Sequence, residues 1–115
     1  MSDDKALVLA FNDAIGRRDL DALAALMTPT HRFVDASGAA IEGKAACIDA
    51  WRRFFAAFPD YRNIFDEVRA TGNGRVEVQG RSECSVPELD GPALWQVSVR
   101  GGFIDEWRVT EVPSA

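Results

Sequence analysis

His31, the only histidine of the chain, lies four residues before Asp35, and His31-Arg32-Phe33-Val34-Asp35 alternates in polarity as a short strand does. In an extended segment positions 31, 33 and 35 point to one face, so an imidazole and a carboxylate flank Phe33. If that face borders an apolar pocket, the carboxylate is poorly solvated and its proton affinity rises, which suits general acid–base work with His31 assisting. The same residues have a second reading. Asp35-Ala36-Ser37-Gly38 has the composition of a turn that an aspartate side chain opens, and His31 fits a strand edge in partial solvent.

Six aromatic residues, Phe11, Phe33, Trp51, Phe55, Trp95 and Trp107, are the candidate lining of a small-molecule pocket, although their spacing is equally that of a packed core. A third cluster is Arg81-Ser82-Glu83. Val76, Val78, Cys84 and Val86 share one strand face, and Glu77, Gln79, Arg81 and Glu83 share the other. Unless a bulge at Gly80 flips the register, Arg81 and Glu83 point away from the core, toward an expected cross-strand ion ladder with Glu106 and Arg108. No Gly-rich phosphate loop, nucleophile elbow or metal-ligand spacing is present, so no cofactor and no metal are expected.

These residues need elements to hold them. Leu7, Ala10, Phe11, Ala14 and Ile15 recur three or four apart and predict a helix from Asp3 to Arg18. Asp19 reads as the N-cap of a short second helix carrying Leu20, Leu23, Leu26 and Met27, stopped by Pro29, so the first two helices form a hairpin. Short strands follow at His31–Asp35 and Ala40-Ile41-Glu42. A long helix runs from Lys44 to Phe58 with Ile48, Trp51, Phe55 and Phe58 on one stripe, ended by Pro59. The period then changes to two, predicting antiparallel strands at 61–71, 75–86, 93–100 and 103–112, joined by Gly72-Asn73-Gly74, the 87–92 loop and Gly101-Gly102. Helices segregate from strands, so the class is α+β, with a curved antiparallel sheet wrapped on the long helix.

A chain of 115 residues makes one domain, 1–115, and its 47 % apolar and 27 % charged residues are those of a folded globular protein. The net charge of −5, with no basic run longer than Arg17-Arg18 or Arg52-Arg53, excludes a nucleic-acid backbone or an anionic membrane surface as the expected partner. The apolar run 6–11 is too short to span a bilayer. The opening MSDDKALVLAFNDA is acidic where a secretory signal is basic, and Cys47 and Cys84 are isolated thiols expected to be reduced core residues, so the expected address is the cytoplasm.

The string Thr28-Pro29-Thr30-His31-Arg32-Phe33-Val34-Asp35-Ala36-Ser37-Gly38, then Glu42-Gly43-Lys44, Trp51, Phe54-Phe55 and Phe58-Pro59-Asp60-Tyr61-Arg62, resembles the SnoaL-like branch of the nuclear-transport-factor-2-like (NTF2-like) superfamily. The ending Phe103-Ile104-Asp105-Glu106-Trp107-Arg108 is similar to that branch's last strand. The resemblance spans nearly the whole chain and implies an NTF2-like cone enclosing a pocket open at one end. Asp35 then stands where ketosteroid isomerase has its general base. The places resembling that enzyme's oxyanion donors hold Phe11, which has no donor, and Trp95, whose indole N–H serves only if aimed at the ligand. Arg81-Ser82-Glu83 resembles part of the limonene epoxide hydrolase triad, but Val109 stands where the second carboxylate belongs. The expectation is a small cofactor-free acid–base enzyme using Asp35 and His31 on an apolar carbonyl or epoxide, or else a non-catalytic ligand-binding or protein-association module of the same fold. The resemblance also implies a homodimer through the outward sheet face, which carries Gln79, Arg81, Gln96, Ser98 and Arg108.

Overall fold

Helix α1, Asp4–Arg17, buries Val8, Phe11, Ala14 and Ile15 on one stripe. The computed structural model describes residues 4–110, so the expected helix start at Asp3 and strand end at Val112 lie outside the described residues. Arg18 closes α1 in the left-handed region, at φ 59°. The Arg18 N–H donates to Ile15 and the Asp19 N–H to Ala14, the pairing that usually ends a helix on glycine. The Asp19 side chain then accepts from the Ala22 N–H at 3.0 Å and caps α2, Leu20–Ala25.

From α2 the chain passes directly into strand β1, Met27–Val34, four residues earlier than the sequence predicts. Pro29 does not break this strand. It is exposed, and it lies between Met27 and Arg32, where pairing with the neighbouring strand slips and a missing N–H costs no ladder bond. Strand β2, Ala40–Glu42, pairs back on β1, and helix α3, Lys44–Ala57, buries Cys47, Trp51 and Phe55 before ending at Phe58-Pro59. Four strands follow: β3 (Arg62–Gly72), β4 (Arg75–Glu83), β5 (Gly91–Arg100) and β6 (Phe103–Thr110). A single 3-10 turn, Pro87–Leu89, sits between β4 and β5.

The sheet order is β2-β1-β6-β5-β4-β3. The predicted four-strand meander is present, and every neighbouring pair is antiparallel except β1 and β6, which run parallel. The sheet is therefore mixed, because β1 and β2 extend the meander at the free edge of its last strand.

Two bulges bend it. Ser98 pairs with Glu106 and Val99 with Ile104, leaving Asp105 as the extra residue of β6, so that Ile104 and Trp107 both turn inward although they stand three positions apart. The Asp105 carboxylate is tied across to β1, accepting from the hydroxyls of Thr28 at 2.7 Å and Thr30 at 3.0 Å, and from Arg100 at 3.1 Å. On β3 the extra residue is Asp66, between Phe65 opposite Gly80 and Glu67 opposite Gln79. The irregularity considered for Gly80 is thus on the facing strand, and β4 alternates without a flip.

Helix α1 crosses β3, β4 and β6, and α3 crosses β1. Between helices and sheet, Phe11 stacks on Trp107 at 4.5 Å, Phe65 meets Trp95 at 4.9 Å and Trp51 stands edge-on to Phe33 at 5.7 Å. The opposite sheet face is polar. Arg81 and Glu83 lie on it as expected, but the ladder to Glu106 and Arg108 does not form, because β5 separates β4 from β6. Glu83 instead holds Arg62 and Arg81, and Glu106 holds Arg32 and Arg108.

Candidate functional site

The concave face of the sheet and α3 do not close completely, and a cavity of about 950 Å³ remains between them. Helix α3 contributes Cys47, Ala50, Trp51 and Phe54, whose spacing of three and four keeps them on one face. The sheet contributes Phe33, Ser82, Ala93 and Trp107, each inward-pointing on its strand. The mouth is formed by the turn 35–37 and by 88–92, where Ala36, Ser37, Glu88, Asp90 and Pro92 are exposed. The volume suits a drug-sized ligand, and the wall is mostly aromatic with few polar groups.

One polar chain reaches this wall. Tyr61, just after Pro59-Asp60, is 8 % exposed and packs edge-on against Phe54 at 4.7 Å. Its hydroxyl lies 3.1 Å from Ser82 Oγ, which in turn donates to Asn63 Oδ1 at 2.8 Å. Since the single Ser82 hydrogen is engaged with Asn63, the Tyr61 hydroxyl donates to Ser82 and keeps its own lone pairs free. Turning the Asn63 amide over and rotating both hydroxyls reverses the chain, and Tyr61 then has a hydrogen to give. Burial raises the Tyr61 pKa, so the group is a phenol rather than a phenolate at neutral pH.

Among the residues singled out from sequence, Phe33, Trp51 and Trp107 line this cavity and Asp35 stands at its mouth. Phe11, Phe55 and Trp95 are buried in the core outside the lining. Asp35 Oδ1 accepts from the Ser37 N–H at 2.9 Å, the Ser37 hydroxyl at 2.6 Å and the Ala39 N–H at 3.1 Å. Chiefly the Ser37 hydroxyl, with these N–H groups, holds the carboxyl below its usual range. His31 is fully buried, outside the cavity lining, with its ring 5.9 Å from Phe11. No hydrogen bond joins it to Asp35. Its Nδ1 donates to the Ile104 carbonyl at 2.8 Å, and Nε2 is buried without a partner among the described residues.

Burial pushes the His31 pKa down, against the opposing pull of the Ile104 carbonyl and of Asp105 and Glu106. A histidine whose folded pKa lies below its unfolded value keeps full stability at pH above about 6.5 and loses it as the pH falls below that, where the unfolded chain takes up the proton first. The thermal midpoint should therefore drop between about pH 6.5 and 5, before the depressed carboxylates begin to protonate. His31→Leu should flatten that limb, and an unchanged limb in the variant would assign it elsewhere.

Tyr61, Ser82 and Asn63 carry signals that sequence reasoning passed over. Val76 and Val78 on the inner face put Ser82 on that face by simple alternation, between the outward charges of Arg81 and Glu83. Tyr61 is the only tyrosine of the chain and opens the meander.

The family model of the SnoaL-like domain matches residues 8–111, nearly the whole chain. The chain belongs to the SnoaL-like family. Curated proteins yield no match to it. Solved structures agree with the SnoaL-like assignment at the level of fold. A proposed polyketide cyclase of Sinorhizobium meliloti superposes with a TM-score of 0.82 at 21 % identity, over 91 % of this chain and 94 % of that one. An LEH-like epoxide hydrolase of M. tuberculosis gives 0.81 at 17 % identity, over 94 % and 81 %. A hypothetical protein of Catenulispora acidiphila with a ketosteroid isomerase-like fold, solved with trimethylamine, gives 0.75 at 18 % identity, over 94 % and 86 %. The cone of this SnoaL-like chain is thus the NTF2-like fold. No described helix is long and apolar enough to cross a membrane.

Proposed function

We propose that the protein binds a small ring-bearing molecule in the cavity between α3 and the sheet and holds one oxygen of it at the Tyr61 hydroxyl. The observation that carries this reading is the convergence of an aromatic wall on a single buried polar chain, Tyr61-Ser82-Asn63. Trp51, Trp107 and Phe33 bury the apolar body, and the reversible chain offers a donor to a carbonyl or an acceptor to a hydroxyl. Calorimetric titration of 2-naphthol against 2-methylnaphthalene tests it. Tyr61→Phe should weaken 2-naphthol about tenfold, the loss expected of one hydrogen bond, and leave the hydrocarbon unchanged. Equal losses for both would place the oxygen elsewhere.

A catalytic reading has one observation in its favour, that the Asp35 carboxylate borders the same cavity. Held ionised by its turn, it would serve as a base taking a proton from an activated carbon, not as an acid. The outward Arg81 and Glu83 weigh against hydrolysis by an arginine–carboxylate pair in this cavity. Asp35→Asn keeps the Oδ1 acceptor, so the variant should fold with a similar midpoint and lose turnover of any cyclic ketone the wild type processes. Turnover at the wild-type rate would leave the ligand-binding reading alone.

The same proposal includes a homodimer. The outer face of β3 to β6, with Arg75, Glu77, Gln96 and Arg108 around a shallow depression, mixes both charge signs as a self-complementary contact requires. Sedimentation equilibrium should give twice 12.6 kDa at micromolar concentration, and a lone 12.6 kDa species would exclude it.

A further inference from the structure

The hydroxyl pair of Tyr61 and Ser82 stands beside a part of the cavity wall that is nearly bare. Ser82 on β4 lies opposite Gly91 on β5, and the next inward position of β5 is Ala93. Both line the cavity, and beyond them β6 contributes Val109. Two strand spacings, about 10 Å, separate the strand of Ser82 from that of Val109. Across this distance β5 turns inward only the hydrogen of Gly91 and the methyl group of Ala93, since the following residue of that face, Trp95, is buried outside the lining. The space is open at Gly91, where a built Cβ has no heavy atom within 4 Å. It is closed on the side of Gly80, the residue opposite Ala93, because the Ile64 carbonyl covers that position. On the remaining sides of the hydroxyl pair, Asn63 bonds Ser82 from β3 and Phe54 of α3 packs against the Tyr61 ring. Room for a bound molecule to branch next to these hydroxyls therefore lies toward β5.

We infer that Ala93 sets the size of the group a ligand carries next to its bound oxygen, and that the ligand is a ring with a small apolar branch on the carbon beside that oxygen. The inference rests on the ligand-binding reading above and adds the substitution pattern to it. Ser82 and Ala93 are diagonal neighbours on one sheet face, about 7 Å apart, so a group on one of the two carbons flanking the oxygen comes over Ala93. A methyl group there leaves water for the apolar atoms of Ala93 and Val109, and an unbranched ring forgoes that gain. The limit is equally local. A larger side chain at position 93 would fill the space from the sheet side and reject the branch while leaving the oxygen contact in place.

Calorimetric titration of 2-naphthol, 3-methyl-2-naphthol, 3-isopropyl-2-naphthol and 6-methyl-2-naphthol separates a branch beside the oxygen from one remote from it. In the wild type the 3-methyl compound should bind about fourfold tighter than 2-naphthol, the value of one buried carbon. Ala93→Val, a substitution that suits a strand, should make the 3-methyl compound bind more weakly than 2-naphthol and leave the affinities of 2-naphthol and the 6-methyl compound within about twofold. Ala93→Gly enlarges the space and should raise the preference for isopropyl over methyl about threefold, which carries the test should the valine variant fail to fold. A 3-methyl compound weaker than 2-naphthol in the wild type overturns the inference. Equal losses of the 3-methyl and 6-methyl compounds in Ala93→Val, or an unchanged isopropyl preference in Ala93→Gly, do the same. In each of these cases 2-naphthol still binds and the cavity reading stands. If 2-naphthol does not bind the wild type, both fall.

Discussion

Gly80→Ala is expected to cost about 3 kcal/mol, the upper end of what overpacking a strand position costs and a large part of a small domain's total stability. A Cβ built on Gly80 would lie 2.0 Å from the Ile64 carbonyl oxygen and 3.0 Å from Phe65 Cα. Both are backbone, so no side chain can rotate away, and β3 must part from β4. The cause is the bulge at Asp66, which brings the carbonyl of Ile64 over the one inward position of β4 that has no side chain. The loss is functional as well, since β3 carries Asn63 and β4 carries Ser82, the two supports of the Tyr61 hydroxyl. Thermal unfolding should show a midpoint lower by about 10 °C or more. A midpoint within about 2 °C of wild type would mean that the strands are not this close.

Arg18→Ala is expected to cost about 2 to 3 kcal/mol, the value of charge-assisted hydrogen bonds that leave their partners unsatisfied. The guanidinium donates to the Ile15 carbonyl at 2.8 Å, to the Pro59 carbonyl at 2.7 Å and to the Tyr61 carbonyl, and it lies over the Phe55 ring at 5.2 Å. One side chain thus ties the end of α1 to the loop that delivers Tyr61. Its left-handed backbone, φ 59°, sends the side chain away from the path that a continuing helix would follow. Lys at this position should recover only part of the loss, because a point charge cannot span three carbonyls as a planar fork does. Chemical denaturation measures both, and Arg18→Ala should also blunt the difference between 2-naphthol and 2-methylnaphthalene. Wild-type stability in the alanine variant would show that the clamp is dispensable.

The elements were legible where pattern and local chemistry agree. The stripes of α1 and α3, the cap at Asp19 and the hairpin glycines all follow from rules acting within a few residues. Partners distant in sequence were not legible: nothing near Met27 announces that β1 will lie parallel to β6, and Pro29 reads as a stop until the slipped pairing is known. Periodicity also gives a residue's face but not its depth. Phe55 and Trp95 share faces with cavity residues, yet lie, like Phe11 on α1, where helix and sheet already touch, while Phe33, Trp51 and Trp107 lie where the bent sheet stands away from α3. Asp35 was readable both as a turn former and as a pocket carboxylate, and it does occupy both places, bonded to Ser37 and Ala39 and bordering the cavity. Tyr61 and Ser82 were overlooked because neither is charged, although alternation along β4 already turned Ser82 inward.

The most direct test is a crystal structure of the protein grown with 2-naphthol at saturating concentration. The account predicts the two rings between Trp51 and Trp107, with the ligand hydroxyl within hydrogen-bond distance of the Tyr61 hydroxyl. Naphthol bound only on the outer surface, or seated in the cavity with its oxygen out of hydrogen-bond reach of Tyr61, would contradict it.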